Sequence, residues 1–431
     1  STKLASCLII MAQTCLTVRM MESWTRVSEM VIASAMGVVS ALYRTYKRGI
    51  EEIRPAGLAL TAERFSRSQM LLGRPLSWIL LFVGFARALA IPADQAITML
   101  PSSDARFFWE GRFDRTDPGR PVIIWAGSRL GLDFEGGHLA VLFGEATGQN
   151  YFNISVDGKM AVVGVPAGPE YRFVWPHTLT PGKHRLELFK RSEADAGHVA
   201  IAGVELAAGA RAWAPERPSY RLRMEFIGDS ITVGACNEDG ATDQWDDRRT
   251  HNHALSYGWL TAQALGADER AIAVSGMGIA EGYVEMKAGE VWDKTYPRAT
   301  AARADLQSWQ PDVVCLNFGE NDDSFTRNQQ RPFPADYTAG YVALVRSVRA
   351  AYPRASIVLL RGGMFGGAKS PELKAAWDKV VREVEGSDPG VAHFVFTHWS
   401  EQHPRVSDHR AMAAELTEWL KAQSFMQTRL R

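Results

Sequence analysis

Between Ala210 and Arg221 the periodicity of the chain changes, and that change limits what it can fold into. From Arg106 to about Ala208, apolar and polar residues alternate in nine short runs. These are Phe107 to Phe113, Val122 to Ala126, Leu130 to Glu135, His138 to Phe143, Tyr151 to Val156, Met160 to Val165, Tyr171 to Val174, His184 to Lys190 and Val199 to Leu206. Gly, Pro, Asp and Asn separate them, and Asp157-Gly158 between two of them is a hairpin signal. Short strands at this density, without a helical period, predict a β-sandwich of jelly-roll type. Beyond Arg221, strand patterns at Leu222 to Ile227, Glu269 to Val274, Val313 to Phe318, Ser356 to Leu360 and Val391 to Phe396 alternate with helical ones. The helical patterns are Tyr257 to Leu265, Tyr337 to Tyr352, Pro371 to Glu385 and Ser407 to Ala422. That succession predicts an α/β domain, a parallel sheet covered on both faces with ligands at the carboxyl ends of its strands.

The organisation expected is an unassigned extension over 1–69, a signal peptide over 70–90, a linker over 91–105, a sandwich over 106–210, a linker over 211–221 and an α/β domain over 222–425. The signal reading rests on Met70 to Ala90, with Arg74 near its start, an apolar run from Leu76 to Phe85 and Ala88-Leu89-Ala90 at its end. It makes the mature protein exported, with no stable membrane association. Lys plus Arg and Asp plus Glu both total 48, so no net charge draws the chain to a polyanion, and nucleic acid is not expected as a partner. The four cysteines, Cys7, Cys15, Cys236 and Cys315, make no disulfide framework in a chain of 431 residues.

Chemistry gathers at the ends of the α/β strands. The first strand runs into Gly228-Asp229-Ser230 and then a helix, which exposes a serine beside unpaired backbone N–H groups, a place suited to a nucleophile attacking a carbonyl. After the second strand comes Ser275-Gly276-Met277-Gly278, and after the third Gly319-Glu320-Asn321-Asp322. His403-Pro404 stands just before the last helix. A parallel sheet brings all four stretches to one edge.

These four stretches resemble the blocks of the SGNH hydrolases, also called GDSL esterases, over about Leu222 to Leu420. With a jelly roll placed before it, the chain looks like a family-two carbohydrate esterase, whose members remove acetyl groups from plant polysaccharides. The resemblance implies that Ser230 attacks the acetyl carbonyl and that His403 moves its proton. It also implies that the N–H groups of Ser230 and Gly276 and the side-chain amide of Asn321 form the oxyanion hole, without metal or cofactor. The superfamily places an aspartate three residues before the histidine, where this chain has Ser400. A backbone carbonyl, the Ser400 hydroxyl or Glu401 is then left to orient the imidazole. A Ser–His dyad served by a backbone carbonyl is the expectation, as in family-two esterases.

Several residues carry second readings. His409 is an alternative base, His251 and His253 with Asp246 and Asp247 an alternative metal site, and Asp229 a helix cap. Trp292 and Trp399 are the aromatic residues expected to stack on a sugar ring. The function expected is a serine esterase acting on acetylated polysaccharide. The alternatives are a lipolytic or thioester-cleaving hydrolase and an inactive carbohydrate-binding relative.

Overall fold

The computed structural model describes residues 97–427 and Arg429, so the extension and signal-peptide expectations lie outside the described residues. The alternating region forms two antiparallel sheets. In one the order is Phe113–Asp114, Val122–Ile123, Gly197–Ala207, Leu139–Gly148, Tyr171–Val174, with Ile97–Pro101 also pairing Gly197–Ala207. In the other it is Ala212–Trp213, Arg129–Glu135, Lys183–Lys190, Asn150–Val156, Lys159–Val165, with Phe108–Glu110 on Arg129–Glu135. Burial follows the period of two: Leu186 and Leu188 are buried while Arg185 and Glu187 face solvent. These inward residues meet Phe134, Phe143, Phe152 and Ile154 in one core. Asp157-Gly158 makes the expected hairpin, pairing Val156 with Lys159. The first and last strands, Ile97–Pro101 and Ala212–Trp213, fall outside the nine sequence runs; each gains its place by pairing with a longer neighbour.

The second region builds a five-stranded sheet of β1 (Leu222–Gly228), β2 (Ala267–Ala273), β3 (Val313–Asn317), β4 (Ser356–Met364) and β5 (Val391–Ser400). The order is β2-β1-β3-β4-β5 and every pairing is parallel. Six helices matter below: α1 (Ser230–Val233), α2 (Tyr257–Ala264), α3 (Glu320–Asn328), α4 (Tyr337–Ala351), α5 (Pro371–Ser387) and α6 (Val406–Ala422). Alternate strand residues choose the face. Val314, Leu316, Ile357 and Leu359 pack on Tyr341, Val345 and Val348 of α4 and Trp377 and Val380 of α5. Phe226, Cys315, Val358 and Leu360 pack on α2 and on Met412, Leu416 and Leu420 of α6, residues four apart along one stripe. Complete burial of each such side chain contributes about 1.5–3 kcal/mol.

The two regions share a core. Ile124, Trp125 and Ala194 belong to the cluster under α4 and α5, and Trp125 Nε1 donates to Thr295 O at 2.8 Å. At the same seam, Arg112 Nη2 meets Glu225 Oε1 of β1 at 3.0 Å with both side chains buried, and Arg112 Nη1 donates to Trp292 O at 2.6 Å. Burial pushes the Glu225 carboxyl up, against the opposing pull of Arg112. Removing one member strands the other's charge in the interior. Arg112→Met is therefore expected to destabilise the chain by roughly 3 kcal/mol, and Arg112→Met with Glu225→Leu by less. Urea unfolding of the three proteins measures this, and equal midpoints for wild type and Arg112→Met would contradict it.

Candidate active site

β1 ends at Gly228, and α1 begins two residues later with Ser230 at its first position. The turn is tight enough that a Cβ on residue 228 would lie 2.1 Å from Thr232 Oγ1, so only glycine allows the helix to fold back over the strand. Asp229 caps the helix, its Oδ1 accepting the Ile231 N–H at 3.0 Å. Burial, reinforced by Glu320 and Asp322 nearby, pushes the Asp229 carboxyl well up.

After β2, Gly276 takes a positive φ of 78°, which turns the chain into the site. After β3, the Gly-Glu-Asn-Asp stretch starts α3, and each of its polar side chains fastens something different. Glu320 accepts the N–H groups of Gly366 and Gly367 at 3.1 and 2.9 Å. Asp322 accepts those of Ile279, Ala280 and Glu281 at 3.0, 2.7 and 3.0 Å and so secures the loop that follows Gly276. Asn321 Nδ2 donates to Asp229 Oδ2 and to Met277 O, both at 3.1 Å. Both amide hydrogens are engaged, so donating to an oxyanion requires sharing one of them.

Ser230, Gly276, Asn321 and His403 line one cleft of about 540 Å³, together with Trp245, Tyr283, Phe365 and Glu401. A larger groove of about 960 Å³ lies at the opposite edge of the sheet, beside Leu222, Arg223, Pro311 and Asp312, where the strands begin and none of these groups reaches.

The group beside His403 departs from the backbone carbonyl expected there. His403 Nδ1 stands 2.6 Å from Asp243 Oδ2, and Asp243 Oδ1 meets Arg405 Nη1 at 2.7 Å. Burial raises the Asp243 carboxyl, but His403 and Arg405 outweigh it and hold the group at about 2. Asp243 lies on an irregular loop far from the position three before the histidine, and no spacing rule points to it. Ser400 instead donates to Gln402 O at 2.6 Å, and Glu401 lines the cleft. On the other side of the imidazole, Trp245 stacks with ring centroids 5.3 Å apart.

The remaining expectations separate. Trp292 is 2% exposed and packs on Tyr352 in the core, which corrects its assignment to the cleft. Trp399 stands behind Phe365, at 6.4 Å between rings, while Trp245 and Tyr283, 37% and 52% exposed, are the open aromatic faces. His409 is buried and accepts the Tyr257 N–H at 3.1 Å; burial drives it down to about 3, so it stays neutral in the core. His251 and His253 turn to different partners, Cys236 Sγ at 3.4 Å and Glu269 Oε1 at 3.0 Å. Among the described residues, Cys236, Asp243 and His403 offer metal-ligand atoms within 4.8 Å of one another. Asp243 is already bonded to His403 and Arg405, and the Arg405 guanidinium opposes a second cation there.

Both regions match known protein families. Residues 109–215 match the carbohydrate esterase 2 N-terminal family model, and residues 226–420 match the GDSL-like lipase/acylhydrolase family model. Over both regions the chain is similar to the family-two carbohydrate esterases. It is 31% identical over 324 residues to the cellulase/esterase CelE of Acetivibrio thermocellus, covering 73% of this chain and 39% of CelE. It thus spans about two fifths of that relative's length. It is 29% identical over 309 residues to an acetylxylan esterase/glucomannan deacetylase of Cellvibrio japonicus, covering 67% of this chain and 82% of that one. A family-two carbohydrate esterase from Clostridium thermocellum, solved in complex with cellohexaose, superposes with a TM-score of 0.66 at 29% identity. That match covers 73% of this chain and 98% of the other.

If Asp243 fixes the His403 tautomer, Asp243→Asn is expected to lower kcat on 4-nitrophenyl acetate by on the order of 10³–10⁴ with little change in KM. Retention of wild-type kcat would remove Asp243 from that role.

Proposed function

We propose that this chain is an exported serine esterase that removes O-acetyl groups from a plant polysaccharide such as acetylxylan. The observation that carries the reading is one cleft lined by Ser230 and His403, with the far nitrogen of the imidazole held 2.6 Å from Asp243. Ser230 Oγ attacks the acetyl carbon while His403 Nε2 takes its proton, and Asp243 keeps the other ring proton on Nδ1 and stabilises the imidazolium. The carbonyl oxygen, now negative, is received by the N–H groups of Ser230 and Gly276 and by Asn321, each donor contributing about 3 kcal/mol in the transition state. His403 returns the proton to the departing sugar hydroxyl, and water then releases acetate from the acetyl-enzyme by the same steps in reverse roles. The reaction needs no electrophile other than these donors.

The exposed faces of Trp245 and Tyr283 suit the flat side of a sugar ring at the cleft mouth. The relatives named as acetylxylan esterases and the cellohexaose-bound structure support a polysaccharide chain as the substrate. Export is proposed from the sequence of residues 70–90; no described helix is long and apolar enough to cross a membrane. Asp243 also weakens the inactive-relative reading, which rested on the missing aspartate.

Acetate release from acetylated xylan and from 4-nitrophenyl acetate tests the proposal. The wild type is expected to release acetate from both, unaffected by EDTA, and Ser230→Ala to lose roughly 10⁴-fold or more. A wild type that binds xylan and releases no acetate would make the chain a binding protein, and loss of activity in EDTA would point to metal chemistry.

A further inference from the structure

Four consecutive polar residues of the antiparallel region, Lys190, Arg191, Ser192 and Glu193, are each 2% exposed or less. Such a run is costly to bury and is retained only where its groups are bonded. Lys190 Nζ fills the turn, donating to the carbonyls of Ser192, Glu193 and Gly197 at 3.1, 2.9 and 2.9 Å. Arg191 reaches the α/β region, bonding Glu238, and donates to His251 O at 3.3 Å. Glu193 reaches further. Its Oε2 accepts the N–H of Ser275 at 2.7 Å, the residue before Gly276, and its Oε1 meets Arg248 Nη1 at 3.0 Å. Arg248 in turn lies 4.5 Å over the Trp245 ring, which also meets the His251 ring at 5.5 Å between centroids and stacks with the His403 imidazole at 5.3 Å.

We propose that Glu193 is a positioning residue of the acyl-transfer site. One carboxylate oxygen holds the turn that aims the Gly276 N–H, and the other, through Arg248 and Trp245, holds the ring against which His403 stacks. This inference rests on the serine esterase reading. Three features favour it over a merely structural role. The carboxylate spans the seam between the two regions and ends on the backbone N–H of the residue before Gly276 and on the guanidinium that covers the Trp245 ring. Burial alone would raise its pKa, yet the His251 imidazole at 3.7 Å, Arg248 and the Ser275 N–H together hold it at about 2, so it stays ionised. Arg248 neutralises that charge locally, so the turn is secured without setting an uncompensated negative charge behind the oxyanion. A Gly276 N–H misaimed by a fraction of an ångström loses most of its value in the transition state while substrate binding is little affected.

The test uses the complete chain and a boronic acid, whose tetrahedral adduct with Ser230 places an oxygen in the oxyanion hole. Glu193→Gln keeps the shape and removes the charge. Its kcat on 4-nitrophenyl acetate is expected to fall by about 30-fold, short of the 10²–10³ that follows loss of an entire donor. KM should stay near wild type, and the boronate inhibition constant should rise by a similar factor. Arg248→Gln, at a half-buried position, is expected to show the same pattern more weakly, and it reads the proposal if Glu193→Gln does not fold. Titration of active serines with a fluorophosphonate normalises every rate to folded sites. Wild-type kcat and boronate affinity in both variants would overturn the proposal, as would a loss of rate explained wholly by fewer titrated sites. A wild type without esterase activity defeats the serine esterase reading itself, whereas an active wild type beside an unimpaired Glu193→Gln defeats this inference alone.

Discussion

An imidazole can take a proton at one nitrogen reliably only when something fixes the proton on the other. Here that constraint is met by Asp243, 2.6 Å from His403 Nδ1, and much of the surrounding structure holds the two together. Arg405 grips both sides of the contact, meeting Asp243 Oδ1 at 2.7 Å and donating to His403 O at 2.9 Å and to Cys236 O at 3.0 Å. The loop carrying Asp243 is fastened to the antiparallel region by Arg191 and Glu238 and to its own ends by Asn237 and Asn252. The imidazole is thus oriented by a carboxylate from a separate loop, which folding must deliver to it.

The same logic explains why the antiparallel region is more than an appendage. Its core is its own, but Ile124, Trp125 and Ala194 share the α/β core, and Arg112 neutralises Glu225 in the middle of β1's strand. Buried charges at a seam add little stability compared with apolar packing, but they penalise any arrangement in which a partner is missing. Pairs such as Arg112 with Glu225, Arg129 with Asp268 and Arg248 with Glu193 therefore specify one docking of the two regions.

Strands and helices were legible because burial imposes period two or period 3.6 on the residues that form the core, as at Leu186 and Leu188 or at Met412, Leu416 and Leu420. Edge strands such as Ala212–Trp213 are too short to carry a period. Helix α3 was hidden because its first turn, Glu-Asn-Asp-Asp, is polar and buried for the loops it fastens. Ser230, Gly276, Asn321 and His403 were legible because topology sends strand ends to one edge. Asp243 was not, since a long-range contact between two irregular loops leaves no spacing in the chain. Trp292 misled for a related reason: a position beyond a strand end does not say whether a large ring turns outward or, as here, into the core.

In the proposed mechanism Ser230 carries the acyl group between two half-reactions. Rapid acid quench of the enzyme with 4-nitrophenyl acetate, followed by peptide mass mapping, tests it most directly. One added acetyl is expected on the peptide containing Ser230, accumulating within the first turnover and decaying as substrate is exhausted. An acetyl found on another residue, or turnover with no acetylated peptide together with retained activity when Ser230 is replaced, would contradict it.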